Sequence, residues 1–340
     1  MTDTRAPRPG GLLRHAPGIV LACVLGLVAM VVNQTFPIVP AVLAALVLGI
    51  ALSLFVDRPA LTPGIEFSAR DLLRVGVALL GAKVTFGEIA AMSWALPVVL
   101  GATALCLFVG ARIGKACGLE APLAMVSAGA VGICGASAAL AVNAAFPRRP
   151  NGDAEAATVV AGVTVIGTVA MIAYPIVAHL IGFDAQETGI FLGGALHEVA
   201  QAVGAGFAVS DEVGTTATTA KLARVAALAP LVMLVGWMVA RRAPRAPDEK
   251  KPPLLPWYLV GFVVLAAIAS FGLIPADIAE GTSLTSRFCL VTAIAALGLK
   301  TKPEKLIKAG PPLITALLLQ TLLLAVLVIA GIFALRLIPV

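Results

Sequence analysis

The stretch Gly193-Gly194-Ala195-Leu196-His197-Glu198-Val199-Ala200-Gln201-Ala202-Val203-Gly204-Ala205-Gly206 sets a histidine, a carboxylic acid and an amide inside an apolar run that glycines open and close. An earlier run, Gly129-Ala130-Val131-Gly132-Ile133-Cys134-Gly135-Ala136-Ser137-Ala138, is broken in the same way. Everything around them reads as lipid-spanning helix. The 340 residues are 60% hydrophobic and 12% charged, with a mean hydropathy of +1.02. A soluble domain carries about 25% charged residues, so this composition defines an integral membrane protein. Loosened backbone and ionisable groups are costly at membrane depth and mark substrate or ion pathways. The two broken runs are therefore the candidate site.

The charge pattern sets the topology. The net charge of +6 lies in short Lys/Arg clusters between apolar runs, the pattern of cytoplasmic loops rather than of nucleic-acid binding. Residues 1–15, with Arg5, Arg8 and Arg14, form a cytoplasmic tail, and the apolar run after it is retained rather than cleaved. Residues 16–56 divide at Asn33-Gln34-Thr35-Phe36-Pro37 into two spans, each near the roughly 20 residues a crossing needs. Further spans are expected at 89–111, 155–180, 221–240, 256–273 and 309–335, with short, charge-interrupted segments at 68–81 and 286–299. Residues 241–253 are a basic, proline-rich cytoplasmic linker. If the broken runs, within 121–147 and 187–209, are re-entrant, there are nine full spans with one hairpin entering from each side. If both cross, there are eleven helices. The charges favour the first, and the C-terminus lies outside on either topology.

Leu80-Gly81-Ala82-Lys83 resembles Leu297-Gly298-Leu299-Lys300, with Arg70 falling on Arg287 at the same offset. An odd number of crossings separates the two copies. They would form inverted halves, approximately 38–180 and 187–340, as in secondary transporters.

Within the breaks, His197 and Gln201 stand one helical turn apart. A buried imidazole or carboxylate suits coupling, so His197 and Glu198 are candidates for a proton or sodium role, against a purely structural one. The run from Gly132 to Ser137 offers free amides and one hydroxyl. A helix N-terminus there would hold an anion, although close packing of small residues reads the same way. Gly132, Cys134, Gly135, Ser137, His197, Gln201, Lys221 and Arg224 are the candidate substrate residues. Lys221 and Arg224 are read as beginning a span on the outer side, pairing with Asp211 or Glu212 or attracting an anion. Lys83 and Lys300 either attract an anion in the same way or snorkel to an interface, and snorkelling is the preferred reading; Asn143 is a lone intramembrane amide. Five scattered cysteines give neither a metal site nor a disulfide framework, and the chain carries no nucleotide-binding motif. No cofactor is expected. An intramembrane enzyme using Cys134 or Ser137 with His197, or an anion channel, are the rival classes.

At these motifs the chain resembles the YeiH family of bacterial inner-membrane proteins, labelled sulfate exporters. The resemblance runs through Gly132-Ile133-Cys134-Gly135-Ala136-Ser137-Ala138, Tyr174-Pro175 and His197-Glu198-Val199-Ala200-Gln201. It continues through Lys221-Leu222-Ala223-Arg224-Val225 and Leu228-Ala229-Pro230, so it covers nearly the whole chain. It implies an inner-membrane transporter of a small anion and, more distantly, an elevator-type fold with paired discontinuous helices, which often dimerises. The chain departs from the family's Gly-Thr-Ser-Ile-Cys-Gly at the first break, carrying Val131 and Gly132 at the two hydroxyl positions. That removes two donors beside the expected anion site and counts against sulfate itself. The fold class expected is thus an all-α polytopic membrane protein of about 9–11 transmembrane helices with two Gly-broken segments.

Overall fold

The computed structural model describes residues 14–36, 39–55, 58–91, 93–147, 149–240, 257–301 and 310–337. The basic linker at 241–253, most of the N-terminal tail and Lys302, Lys305 and Lys308 lie outside them. Every regular element among the described residues is helical. The first four longer helices are α1 (Ala16–Thr35), α2 (Ala41–Ser53), α3 (62–80, with a π-helical turn at Ser68–Leu72) and, after a short helix at Phe86–Ala91, α4 (Leu96–Ala116). Next come α5 (Ala121–Cys134, π-helical from Ala130), α6 (Ala136–Ala145), α7 (Gly152–Ile181), α8 (Ala185–Ala195) and α9 (Val199–Val209). The chain ends with α10 (Asp211–Ala226), α11 (Leu228–Ala240), α12 (Trp257–Ser270), α13 (Ala276–Lys300) and α14 (Pro311–Arg336). Five helices (α1, α4, α7, α13 and α14) are long and apolar enough to cross a membrane. They expose large apolar side chains in mid-helix, such as Val169, Ile176 and Leu322, as lipid-facing surfaces do. Where helices meet, small residues let backbones touch, as at Gly18 against Gly64 and Gly49 against Gly298.

Both broken runs fold back on themselves. A Cβ at Gly129 in α5 would lie 2.9 Å from Val142 Cγ2 in α6, so the two arms are antiparallel about a tip at Gly135. Gly135 has φ +55, a left-handed conformation that suits glycine and turns the chain sharply. In the second run, Gly189 and Gly193 of α8 press on Thr216 and Ala217 of α10 in the same order along both helices. Gly206 of α9 meets Gly214 of α10 in the opposite sense. Hence α8 and α9 form a second hairpin, with residues 196–198 at its tip.

The long helix α7 fixes where the hairpins stand. The base of the first is at its start, where Asn143 Nδ2 donates to Asp153 at 3.1 Å. Arg149 donates to both Asn143 and Glu155 there, so Asn143 is a clamp at the hairpin's foot rather than an isolated amide. The base of the second hairpin follows the end of α7. An α-helix of 30 residues is about 45 Å long, so the hairpins enter from opposite faces. The arm α8, 11 residues, reaches roughly 16 Å, about half of the ~30 Å hydrocarbon. The tips meet beside Thr164, near the middle of α7.

Following these contacts along the chain, nine segments among the described residues pass from one face to the other, counting α10 and α11 as one. One face carries Arg14, Arg58, Arg112, Lys115, Arg149 and Lys300, with Asp153 and Glu155 beside Arg149. The other carries Asp184, Glu187, Asp211, Glu212, Asp277 and Glu280, with Arg336 paired to Glu187. Three expectations need correction. The helix expected from Lys221 begins ten residues earlier, at Asp211, where Ser210 accepts from Val213 N at 3.1 Å as N-cap. Lys221 and Arg224 therefore lie in mid-span, not at an outer end. The segments expected to be short at 68–81 and 286–299 are parts of α3 and of the 25-residue α13. Their charges sit within or at the ends of helices and do not end them.

The helices divide into two packed groups. α1, α2, α3, α12 and α13 contact one another, and the hairpins pack with α4, α7, α10 and α14. Gly298 of α13 rests on Leu46 of α2, while Gly81, just after α3, rests on Phe262 of α12.

Candidate functional site

A helix leaves its last carbonyls without partners and concentrates partial negative charge there. α5 and α8 both end in mid-bundle, and α10 brings two fully buried cations to them. Arg224 Nη1 donates to the carbonyls of Gly193 (3.2 Å), Gly194 (2.8 Å) and Leu196 (2.8 Å) at the second tip. Its Nη2 donates to Val131 (3.0 Å) and Gly132 at the first, and its Nε to Gly132 at 3.2 Å. Lys221 Nζ joins the same two tips through Ile133 (3.0 Å) and Leu196 (2.6 Å). The rigid fork of an arginine suits this divided task. These two residues hold the breaks open by taking the place of the helical turns that would otherwise satisfy the carbonyls. Neither meets Asp211 or Glu212.

The opposite side of the tips is electrostatically inverted. There α6 and α9 begin, and their positive dipole ends flank a cavity of about 140 Å³. The hairpin group lines it with Cys134, Ala136, Ser137, Glu198, Val199 and Ala200, together with Val160 and Thr164 of α7. The other group supplies Arg70, Arg74, Tyr258 and Lys300 among its lining residues. Arg74 stacks over the Tyr258 ring, 5.6 Å from its centroid, and donates to Asp71 at 3.3 Å. Arg70 stands in the π-helical turn of α3 and Cys134 in that of α5; such turns recur at functional sites. Glu198 is the N-cap of α9, and its amide donates to Gln201 Oε1 at 3.0 Å. Its carboxyl accepts from or donates to Thr164 Oγ1 at 2.7 Å. A Cβ at Gly135 would come within 2.7 Å of Glu198 Cγ, so glycine there lets the two tips touch.

Of the residues singled out from sequence, Cys134, Ser137 and Glu198 line the cavity. Gly132, Lys221 and Arg224 sit behind the tips, and Gly135 forms one tip. Gln201 is fully buried and braces the second tip on α7 by donating to Thr164 O at 3.2 Å. His197 turns the other way: its Nε2 lies 2.9 Å from Thr321 Oγ1 of α14. Thr321 already donates its one hydroxyl proton to Leu317 O at 2.7 Å, so the imidazole donates from Nε2. Neither Cys134 nor Ser137 hydrogen-bonds to His197 among the described residues, so the dyad that a hydrolytic site requires is not assembled. Sequence reading missed Thr164 and Tyr258, did not bring Arg70 and Arg74 to the site, and preferred an interface to the site for Lys300, which lines the cavity. Their signal was faint: charges interrupting an apolar segment, partly echoed in the second copy. No group of His, Cys, Asp and Glu among the described residues is placed to hold a metal ion.

Fold and site together define a polytopic all-α membrane protein with two opposed re-entrant hairpins whose tips flank a small cavity. The chain belongs to the family described as "Conserved hypothetical protein 698", which matches residues 17–317. The YeiH resemblance points to this same family. The chain is 40% identical over 334 residues to the UPF0324 membrane protein TauZ of Paracoccus pantotrophus, covering 97% of this chain and 98% of that one. It is 40% identical to TauZ of Paracoccus denitrificans over 338 residues, 98% of this chain and all of that one. A UPF0324 membrane protein of Rhizobium meliloti is 38% identical over 334 residues, 96% of this chain and 95% of that one. No solved structure matches.

Proposed function

We propose that the protein is a secondary transporter of a small anion, with sulfate, organic sulfonates and carboxylates as the substrate class. The observation that carries this is the meeting of two opposed hairpin tips in mid-bundle. Two helix starts face the cavity there, and Arg70, Arg74 and Lys300 stand across it. Buried cations neutralise the carbonyl ends of the same tips, so the positive potential of the helix starts is left for a ligand. The cavity holds several waters or one small anion, and it is lined from both helix groups. Movement of the hairpin group along the other would carry that anion across, as in an elevator. The corresponding packing of Gly298 on Leu46 and Gly81 on Phe262 supports inverted halves. On the positive-inside rule we take the more basic face as cytoplasmic, with the N-terminus inside and the end of α14 outside a bacterial inner membrane. A homodimer and coupling to protons or sodium fit this class of machine.

Thermal melting of the purified protein across choline and sodium salts tests the ligand class. Sulfate, methanesulfonate or acetate should stabilise it with either cation. Stabilisation by every sodium salt, sodium chloride included, and by none of the choline salts would refute an anion site.

A further inference from the structure

We infer that Glu198 is the proton carrier of this transporter, taking up a proton as an anion enters the cavity. The inference rests on the anion reading above and deepens it. It starts from a count of protons. Thr164 Oγ1 lies 2.8 Å from Val160 O and 2.7 Å from Glu198 Oε1. A threonine hydroxyl has a single proton and cannot donate to both. When Glu198 carries a proton, it donates to Thr164 and Thr164 donates to Val160, so both short contacts are satisfied. When Glu198 is ionised, Thr164 must turn its proton to the carboxylate and release Val160. The pair is a two-position switch at the cavity wall.

The placement of the carboxylate gives the switch its purpose. Glu198 is the N-cap of α9 and lies against Gly135, one residue before α6 begins. Ionised, it is the chain's own anion at the convergence of two positive helix ends. It then competes with any anion in the cavity, through like charge and through the donors both would use. Protonated, it surrenders that potential to the substrate. Proton and anion therefore bind together and move together, and the charge crossing with the hairpins changes less than for the anion alone.

The other ionisable groups facing Glu198 do not fill this role. Arg70 and Arg74 of α3 keep their charge at any accessible pH. Lys300 of α13 and Tyr258 of α12 stand on the far wall. Cys134 belongs to the first tip, and Lys221 is committed to the carbonyls of Ile133 and Leu196. His197 is fully buried and points to Thr321, away from the cavity.

The test is calorimetry of sulfate, methanesulfonate and acetate binding to the full-length protein in buffers of different ionisation enthalpy. The wild type should take up about one proton per anion, and affinity should rise about tenfold for each pH unit lowered while Glu198 is ionised. Glu198→Gln should bind with near-zero proton uptake and pH-independent affinity. His197→Gln should retain the wild-type proton count. Anion binding to the wild type without proton uptake would overturn the inference and leave the anion reading standing, even if Glu198→Gln did not fold. Full proton uptake by a folded Glu198→Gln would also overturn it. Absence of heat with all three anions would sink the anion reading and this inference with it.

Discussion

Arg224→Ala tests the claim that buried cations hold the broken helices open. The arginine serves five carbonyls, those of Val131, Gly132, Gly193, Gly194 and Leu196, and Leu196 retains Lys221 as a second donor. Hydrogen bonds inside membrane proteins average about 0.6 kcal/mol each, which puts the loss near 3 kcal/mol. Orphaned buried acceptors in water-soluble proteins cost about 1–3 kcal/mol each, which for the four carbonyls left without a donor puts it at about 4–12 kcal/mol. The lower figure is the better guide, because lipid-embedded chains find other partners when unfolded. At the usual conversion for proteins of a few hundred residues, a loss of about 3–5 kcal/mol lowers the melting temperature by roughly 5–10 °C. Lys221→Met strips two carbonyls, one of which keeps Arg224, and should cost less than half as much. Arg224→Lys restores the charge but not the fork and should fall between wild type and alanine. Melting of detergent-purified variants by intrinsic fluorescence reads all three. An Arg224→Ala protein that melts with the wild type would show that the carbonyls need no cap. An Arg224→Lys protein equal to wild type would show that charge alone suffices.

Gly135→Ala should abolish transport while leaving the protein inserted, because a Cβ there meets Glu198 and the left-handed turn disfavours alanine; flux assays beside a folding control decide it. Ser137 is exposed to the cavity while Cys134 is buried, so Ser137→Cys in a cysteine-free background should react with a hydrophilic thiol reagent and be protected by substrate. Unchanged labelling at saturating anion would remove Ser137 from the site. At the acidic face, Arg336 donates to Glu187, 2.5 Å from Nε to Oε1, and holds that carboxyl below its usual range. A lowered folded value means stability that is present above the ordinary carboxylate pKa and lost as pH falls through the folded one. The melting temperatures of wild type and Glu187→Gln should therefore converge on acidification; a constant gap down to low pH would contradict the pairing.

The class of the fold was legible because lipid imposes one rule on every residue, and the apolar runs and basic loops obey it. The breaks were legible for the same reason: His197, Glu198 and paired glycines have no place in an uninterrupted span. The start of α10 was not. Asp211, Glu212 and four threonines before Lys221 read as loop, yet they are helical because the hairpin arms α8 and α9 pack along them. That shift of ten residues hid the role of Lys221 and Arg224, which looked like outer-face cations and are caps for backbone. The far wall of the cavity was also hidden. Arg70, Arg74, Tyr258 and Lys300 come from three helices distant in sequence, and the packing of α12 and α13 on α3 brings them together. His197 looked like a site residue because it neighbours Glu198, but successive residues at a hairpin tip point to opposite sides.

Counterflow measures transport most directly. Proteoliposomes preloaded with unlabelled sulfate, methanesulfonate or acetate are diluted into the same labelled anion, beside protein-free liposomes. A carrier with an anion cavity between its hairpin tips should accumulate label transiently above equilibrium, and only when the matching anion is inside. Label that enters at the same rate without internal anion would mean a channel, and no entry of any of the three would remove anion transport from this fold.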